Sequence, residues 1–345
     1  MIPVIDMHCD TISIIHDCRM EGKEIGLRRN DLHIDLEKMK KAGYMCQNFA
    51  LFTYLGAWQK NGEAYEGGGG KGARFACPRE YALSLSDTFD AEMAANADLI
   101  RPVLNAGDIE KNFKEGYLSA LKTIEEGGVY EGSVDHLKEF YDRGARMTTL
   151  TWNFENELAF PNHINMKTGE TTPDTENGLK PAGKEMVEAC NELGIIVDIS
   201  HLNDAGIYDV LDIAGRKGPI VASHSNARSI CGHARNLTDD MLRKLAECGG
   251  VAGINFCADF MSDRGDQMTL ISDMIRHIRH MENVAGIESI GMGTDFDGIG
   301  NRIEFENCGG MQRLAEELER AGYSLDAIEK IFYKNVLRVY KDILK

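Results

Sequence analysis

The sequence predicts an α/β protein of the (β/α)8 TIM-like barrel class, and three observations carry that expectation. Eight short apolar runs are spread along the 345 residues. Between them lie stretches with apolar residues recurring at three and four, the alternation of a parallel sheet with crossover helices. Most of the runs stop at a His, Asp or Glu. In such a barrel all strand ends converge on one rim, so residues far apart in sequence become neighbours in space. A single catalytic domain over 1–345 is expected, because a chain of this length with 43% hydrophobic residues can bury one large core.

The strand candidates are Val4 to Asp10, Cys46 to Phe52, Leu118 to Ile124, Met147 to Trp152, Ile195 to Ile199, Ile220 to Ser223, Val251 to Phe256 and Ser289 to Gly293. Helices are expected over Val134 to Arg143, Gly183 to Leu193, Asp204 to Ala214, Thr238 to Cys248 and Thr269 to Ala285, with another near Pro78 to Leu99. Asn203 and Thr238 stand where N-caps belong, and Asp239 and Asp240 follow at the positive end of the macrodipole. Two stretches break the rhythm. Glu66 to Gly72 is too glycine-rich for regular structure and lacks the Lys-Ser/Thr spacing of a phosphate loop. Asn153 to Lys180, with Pro161 and Pro173, is a long loop after the fourth strand and is expected to help cover a substrate on the rim.

The net charge of −17 and pI near 5.1 argue against a nucleic-acid surface. Nine scattered Cys without a Cys-x-x-Cys pair fit reduced thiols rather than a disulfide framework or a structural zinc site. The chain starts with a strand, and no apolar run approaches the ~20 residues that span a bilayer. The expectation is a cytoplasmic protein without membrane or nucleic-acid partners. Closed two-fold pairs dominate homo-oligomers, so a homodimer is the expected assembly.

The residues at the run ends carry the chemistry. His8 and Asp10 stand two apart, so on a strand they face one side and can share a metal ion. Asp6 lies deeper and suits a structural hydrogen-bonding role. A carboxylate can bridge two cations, and Glu125 and Glu126 are adjacent candidates that periodicity alone does not separate. His201 and His224 close the next two runs and would serve as neutral imidazole ligands. Asp295 ends the last run and is placed to take a proton from water between two metals, with Asp297 the competing carboxylate. Arg235 follows the His224 run closely enough to clamp a carboxylate with its planar fork. A serine nucleophile elbow, a Walker loop and a dinucleotide fingerprint are all missing, which removes the main rival chemistries. The pattern is that of a two-metal hydrolase.

Asp6-Met7-His8-Cys9-Asp10-Thr11, Glu126-Gly127-Gly128, Asp198-Ile199-Ser200-His201, Ser223-His224-Ser225, Arg235-Asn236 and Gly293 to Gly298 resemble, in order and spacing, the renal (membrane) dipeptidase family of zinc peptidases. The resemblance runs from His8 to the Asn335 to Val339 tail. It implies an amidohydrolase-like barrel with two zinc ions per chain that cleaves dipeptides, often with a D-residue at the carboxyl-terminal position. It further implies that His8, Asp10 and Glu126 hold one zinc, that Glu126, His201 and His224 hold the other, and that Glu126 rather than Glu125 is the bridge. By the same likeness Asp295 handles the water proton and Arg235 holds the substrate carboxylate.

The chain departs from the family at one point. Mammalian members have a Leu-Thr-His stretch at the end of the fourth strand, where the His polarises the scissile carbonyl; here the chain reads Leu150-Thr151-Trp152-Asn153. Trp152 and Asn153 are therefore the substrate-binding candidates, able to donate N–H groups but not to carry a proton. Two other readings compete with a dipeptidase. One is an amidohydrolase acting on a cyclic amide or acyl-amino acid, and the other is an inactive barrel used as a scaffold, against which the complete residue set speaks.

Overall fold

The computed structural model describes residues 1–58, 74–165, 168 and 170–345. The glycine-rich run of residues 66–72 lies outside the described residues. Eight parallel strands close on themselves: β1 (Val4–Asp6), β2 (Tyr44–Phe52), β3 (Leu118–Glu125), β4 (Ala145–Thr149), β5 (Ile196–Asp198), β6 (Val221–Ala222), β7 (Val251–Ile254) and β8 (Ile290–Met292). Each pairs with its sequence neighbours, and Asp6 opposite Met292 joins β8 back to β1. All eight expected strands are present, most of them shorter than the apolar runs that announce them.

The crossover helices follow the expected positions: Pro78–Ala95, Val134–Asp142, Pro181–Leu193, Asp204–Ile213, Asp239–Glu247 and Ile271–Ala285. Asn203 and Thr238 cap theirs by accepting from the backbone N–H of Gly206 and Met241. Among the elements outside the expected set, three bear on the barrel's two ends. A three-residue strand, Ile100–Pro102, pairs with the start of β3. A small hairpin, His163–Ile164 with Thr171–Thr172, gives the long loop after β4 some structure of its own. The third is a helical tail ending in Asn335–Ile343.

That tail closes the end of the barrel where the strands begin. Val336, Val339 and Tyr340, all fully buried, pack with Ile5, Met7, Cys46, Leu121, Met147, Ile196, Val221 and Val251 from the strands. The Asn48 amide N–H donates to the Tyr340 hydroxyl at 2.7 Å, while Asn48 Oδ1 has no partner among the described residues. At the opposite end β6, β7 and β8 approach so closely that a Cβ on Gly293 would lie 1.6 Å from the Ser223 carbonyl oxygen. Only glycine fits there, and the close approach narrows the mouth in which the polar residues meet.

Candidate active site

The strand ends deliver the polar residues to one cavity of about 540 Å³, lined among others by Asp10, Phe52, Glu125, Trp152, Asn153, His201, Arg235 and Asp295. Its size suits a small ligand. His201 and Asp295 hold left-handed backbone, φ +68° and +61°, where the chain leaves the sheet. Such strain clusters where function fixes a side chain.

Glu125 stands at the centre. Its Oε2 lies 3.3 Å from His8 Nε2 and its Oε1 lies 3.2 Å from His201 Nε2 and 3.9 Å from His224 Nε2. His8 Nε2 is also 3.4 Å from Asp10 Oδ2 and 3.8 Å from Asp295 Oδ1. Buried Asp6 accepts from the His8 N–H and from the backbone and hydroxyl of Thr294, the structural role expected of it. β1 ends at Asp6, and alternation slips there: Ile5 and Met7 both pack in the floor cluster, yet His8 meets Asp10, which lines the cavity.

The reading of Glu126 as the bridge is corrected by this geometry. Leu121 and Glu125 share the inward face of β3, whereas Glu126 begins the turn beyond it with φ +96°. Its carboxylate is buried and committed elsewhere, accepting from Gly128 N–H at 2.7 Å, Trp152 N–H at 2.8 Å and the Asn156 amide at 2.5 Å. Glu126 ties the end of β3 to the loop that follows β4. Asp297 is likewise committed, accepting from Thr11, His33 and Ile34.

The imidazole tautomers follow from their partners. Ser223 donates its hydroxyl to Asp198 at 2.5 Å, so the same oxygen accepts from His224 Nδ1–H at 2.7 Å. Asn153 Oδ1 accepts from His201 Nδ1–H at 3.2 Å. Both Nε2 atoms are then bare acceptors, 2.8 Å apart and facing the Glu125 carboxylate. Lone pairs gathered this closely repel unless a cation lies among them. Among the described residues, buried His8 Nε2 and Asp10 Oδ1 find no hydrogen-bond partner, which points the same way. Two overlapping sets, His8 with Glu125 and His224 and His8 with Asp10 and Asp295, have ligand atoms close enough for one ion each. Nitrogen and carboxylate donors in this number fit divalent zinc.

The electrostatics agree. Burial works against a charged His8, but the Glu125 and Asp10 carboxylates outweigh it and hold its pKa well above the ordinary value. His201 and His224 are pushed well below theirs by burial. Burial, with Asp10 close by, lifts Glu125 to about 8 and Asp295 to about 6, against the lowering pull of His8. The cavity therefore calls for positive charge near Glu125 and His8.

Around this centre, Asn255 donates to Asp295 Oδ2 at 3.0 Å and aims that carboxylate. Arg235 is buried, its terminal nitrogens lie 3.4 Å from Ser225 Oγ and 3.3 Å from the His224 carbonyl, and its Nε has no partner among the described residues. Trp152 and Asn153 line the cavity just beyond β4 rather than on it. Sequence reasoning missed Asp198, Ser223 and Asn255 as supporting residues. Ser223 ends its apolar run, while Asp198 and Asn255 are polar residues next to the last position of theirs, a signal close to the one that singled out the histidines.

Comparison with known proteins shows the family and the fold. The family model described as membrane dipeptidase, peptidase family M19, matches residues 1–345. A Klebsiella pneumoniae protein encoded in the pqqA 5′ region is 34% identical over 73% of this chain and 92% of its own length. A fission-yeast protein described as a dipeptidase, from Schizosaccharomyces pombe, is 34% identical over 69% of this chain, the match spanning 56% of that protein. The crystal structure of a dipeptidase of family M19 superposes with a TM-score of 0.86 at 25% identity over 99% of both chains. A metallopeptidase from Rhodobacter sphaeroides, solved with a phosphinate mimic of L-Ala-D-Ala, shares the fold at TM-score 0.86 and 24% identity over 99% of both chains. With the barrel, the converging His and carboxylate ligands and a family match over its whole length, this chain belongs to the membrane dipeptidase family, the M19 metal-dependent dipeptidases.

Proposed function

We propose that the site is a two-zinc dipeptidase centre with Glu125 as the bridge. The observation that carries this reading is the split of the Glu125 carboxylate, one oxygen toward His8 and the other toward His201 and His224. His8, Asp10 and Glu125 would hold one ion, and Glu125, His201 and His224 the other. Two such ions, when bound, lower the pKa of water between them and polarise the scissile carbonyl.

The chain's own groups do the rest. Asp295, aimed by Asn255 and raised to about 6 by burial, is ionised near neutral pH. It accepts the proton of the attacking water and then has a proton to pass to the departing amine. Asn153 keeps its Oδ1 on His201, which frees its Nδ2–H groups for the carbonyl oxygen, the task the family histidine performs at the neighbouring position. The unpartnered Nε of Arg235, with the adjoining terminal nitrogen, offers a two-point grip for the substrate's carboxylate. All nine cysteines are free thiols, which supports a reducing, cytoplasmic setting. Among the described residues no helix is long and apolar enough to cross a membrane.

The test is hydrolysis of free and end-capped dipeptides, with L- and D-residues at the second position, with zinc and with chelator. Free dipeptides should be cleaved only with metal, and an amidated carboxyl end should remove most of the rate. Arg235→Lys should weaken kcat/KM on free dipeptides and change little on amidated ones, because Lys keeps the charge but loses the fork. Equal turnover of capped and free substrates would move the reading to a general amidohydrolase.

A further inference from the structure

The long loop after β4 brings Trp152 against the site, and nothing in metal binding requires an indole there. The ring lies 5.1 Å from Phe52, 5.9 Å from Tyr54, 5.8 Å from Phe154 and 5.9 Å from the His201 imidazole, centroid to centroid. Tyr54 also meets Phe154 edge-on at 5.2 Å. These are tilted and edge-on arrangements of the kind aromatic rings prefer, so four rings form one braced wall rather than four mobile side chains. Phe52 and Trp152 line the cavity and stay half-buried. Burial of Tyr54 behind them fixes their angle. Glu126 accepts from the Trp152 backbone N–H, which anchors the wall to the end of β3.

The position of the wall within the barrel says which part of a dipeptide it meets. Phe52 ends β2 and Trp152 follows β4, so the two rings flank Glu125 at the end of β3. Arg235 comes from the loop after β6, half a turn around the barrel from β2, and its guanidinium is fastened there to Ser225 and the His224 carbonyl, 5.5 Å from the Phe260 ring. A dipeptide whose carboxylate sits on Arg235 and whose scissile carbonyl sits by Glu125 runs across the mouth from β6 toward β2. Its amino-terminal residue then lies on the side of Phe52 and Trp152.

We infer that Phe52 and Trp152 form the subsite for the side chain of the amino-terminal residue and select a flat apolar or aromatic side chain there. This rests on the dipeptidase reading with Arg235 at the carboxyl end. With Asn153 left to meet the carbonyl oxygen, the indole adds contact area, and contact area discriminates between side chains. Burying the extra carbons of a phenylalanyl over an alanyl side chain against two rings accounts for about 10- to 100-fold in kcat/KM.

Four zinc-loaded assays test it: Ala-Ala, Phe-Ala, Ala-Phe and Phe-Phe, on wild type, Trp152→Phe, Trp152→Ala and Phe52→Ala. Wild type should favour Phe-Ala over Ala-Ala by about 10- to 100-fold in kcat/KM. Trp152→Ala and Phe52→Ala should each shrink that ratio several-fold while leaving the ratio of Ala-Phe to Ala-Ala where it was, and Trp152→Phe should retain most of the preference. Circular dichroism of each variant confirms its fold. Dipeptides cleaved with no preference at the first position, or a Trp152→Ala loss equal on all four substrates, would overturn the subsite while the dipeptidase reading stands. A preference that responds at the second position instead would overturn the direction assigned to the substrate, and with it Arg235 as the carboxylate clamp. Wild type inert on all four with zinc present would overturn the dipeptidase reading, and the subsite with it.

Discussion

The two mouths of this barrel are built from the same eight strands and obey opposite rules. Where the strands begin, Ile5, Cys46, Leu121, Met147, Ile196, Val221 and Val251 meet the fully buried Val336, Val339 and Tyr340 of the tail. The Asn48 amide N–H and the Tyr340 hydroxyl are paired there, and Asn48 Oδ1 is the exception without a partner among the described residues. Where the strands end, the buried residues are His8, Glu125, Asp198, His201, Ser223, His224 and Arg235, and His8 Nε2, Asp10 Oδ1 and Arg235 Nε are left without partners. Burying polar groups unpaired costs free energy, so the rim draws on stability that the floor supplies. The difference separates folding from chemistry along the axis of one sheet, as is general for this architecture.

The largest effect expected from breaking this comparison falls on adjacent residues. On the proposed two-zinc reading, Glu125→Gln removes the shared carboxylate and should lower bound metal from two ions per chain to one or none. Hydrolysis should fall by at least the ~10²–10⁴-fold that a positioned acid–base group is worth. Glu126→Gln should keep its metals, because its carboxylate serves only Gly128, Trp152 and Asn156; thermal stability and the placement of Trp152 should suffer instead. Elemental analysis and kinetics on the pair decide it. Metal lost from the Glu126 variant and kept by the Glu125 variant would restore the bridge that the family resemblance implies.

These neighbours also show how far the sequence could be read. The barrel was legible because eight apolar runs and the helices between them repeat, and the site because polar residues ending apolar runs stand out. The choice between Glu125 and Glu126 was not, since β3 is buried on both faces: Leu121 packs inward while Ala120 and Ile124 pack outward, and no polar alternation marks the sides. The run from Val4 brought His8 and Asp10 together as expected, but on a strand shorter than the run. Regular alternation puts Asp6, His8 and Asp10 on one face, but the strand stops at Asp6 and the register slips. Asp198 reaches His224 through Ser223, and no spacing along the chain encodes a contact between the ends of two different strands.

A second change tests the floor. Tyr340→Ala removes a fully buried ring and the partner of Asn48, far from the cavity. Large-to-small changes of this kind cost about 3–5 kcal/mol. The midpoint of denaturant unfolding should drop accordingly, while kcat per folded molecule and metal content stay near wild type. A fall in kcat at full folding would mean that the two mouths are coupled.

The smallest expected effect sharpens the rim side of the comparison, because it probes a residue that touches neither metal nor substrate. Ser223 relays between Asp198 and His224, donating to the first and accepting from the second, and so keeps His224 Nε2 bare. Ser223→Ala leaves His224 in place but frees its ring to take the other tautomer, with a proton on the nitrogen that should face the metal. Supporting contacts of this type are worth about 10–100-fold in metal affinity. Competition with a zinc chelator should show a loss in that range for one of the two ions, with fold stability little changed. Cysteine at 223 keeps a weak donor and acceptor and should recover part of the affinity. An alanine variant that binds both ions as tightly as wild type would show that His224 is oriented by its stacking on His8, 3.9 Å between ring centroids, and not by the serine relay.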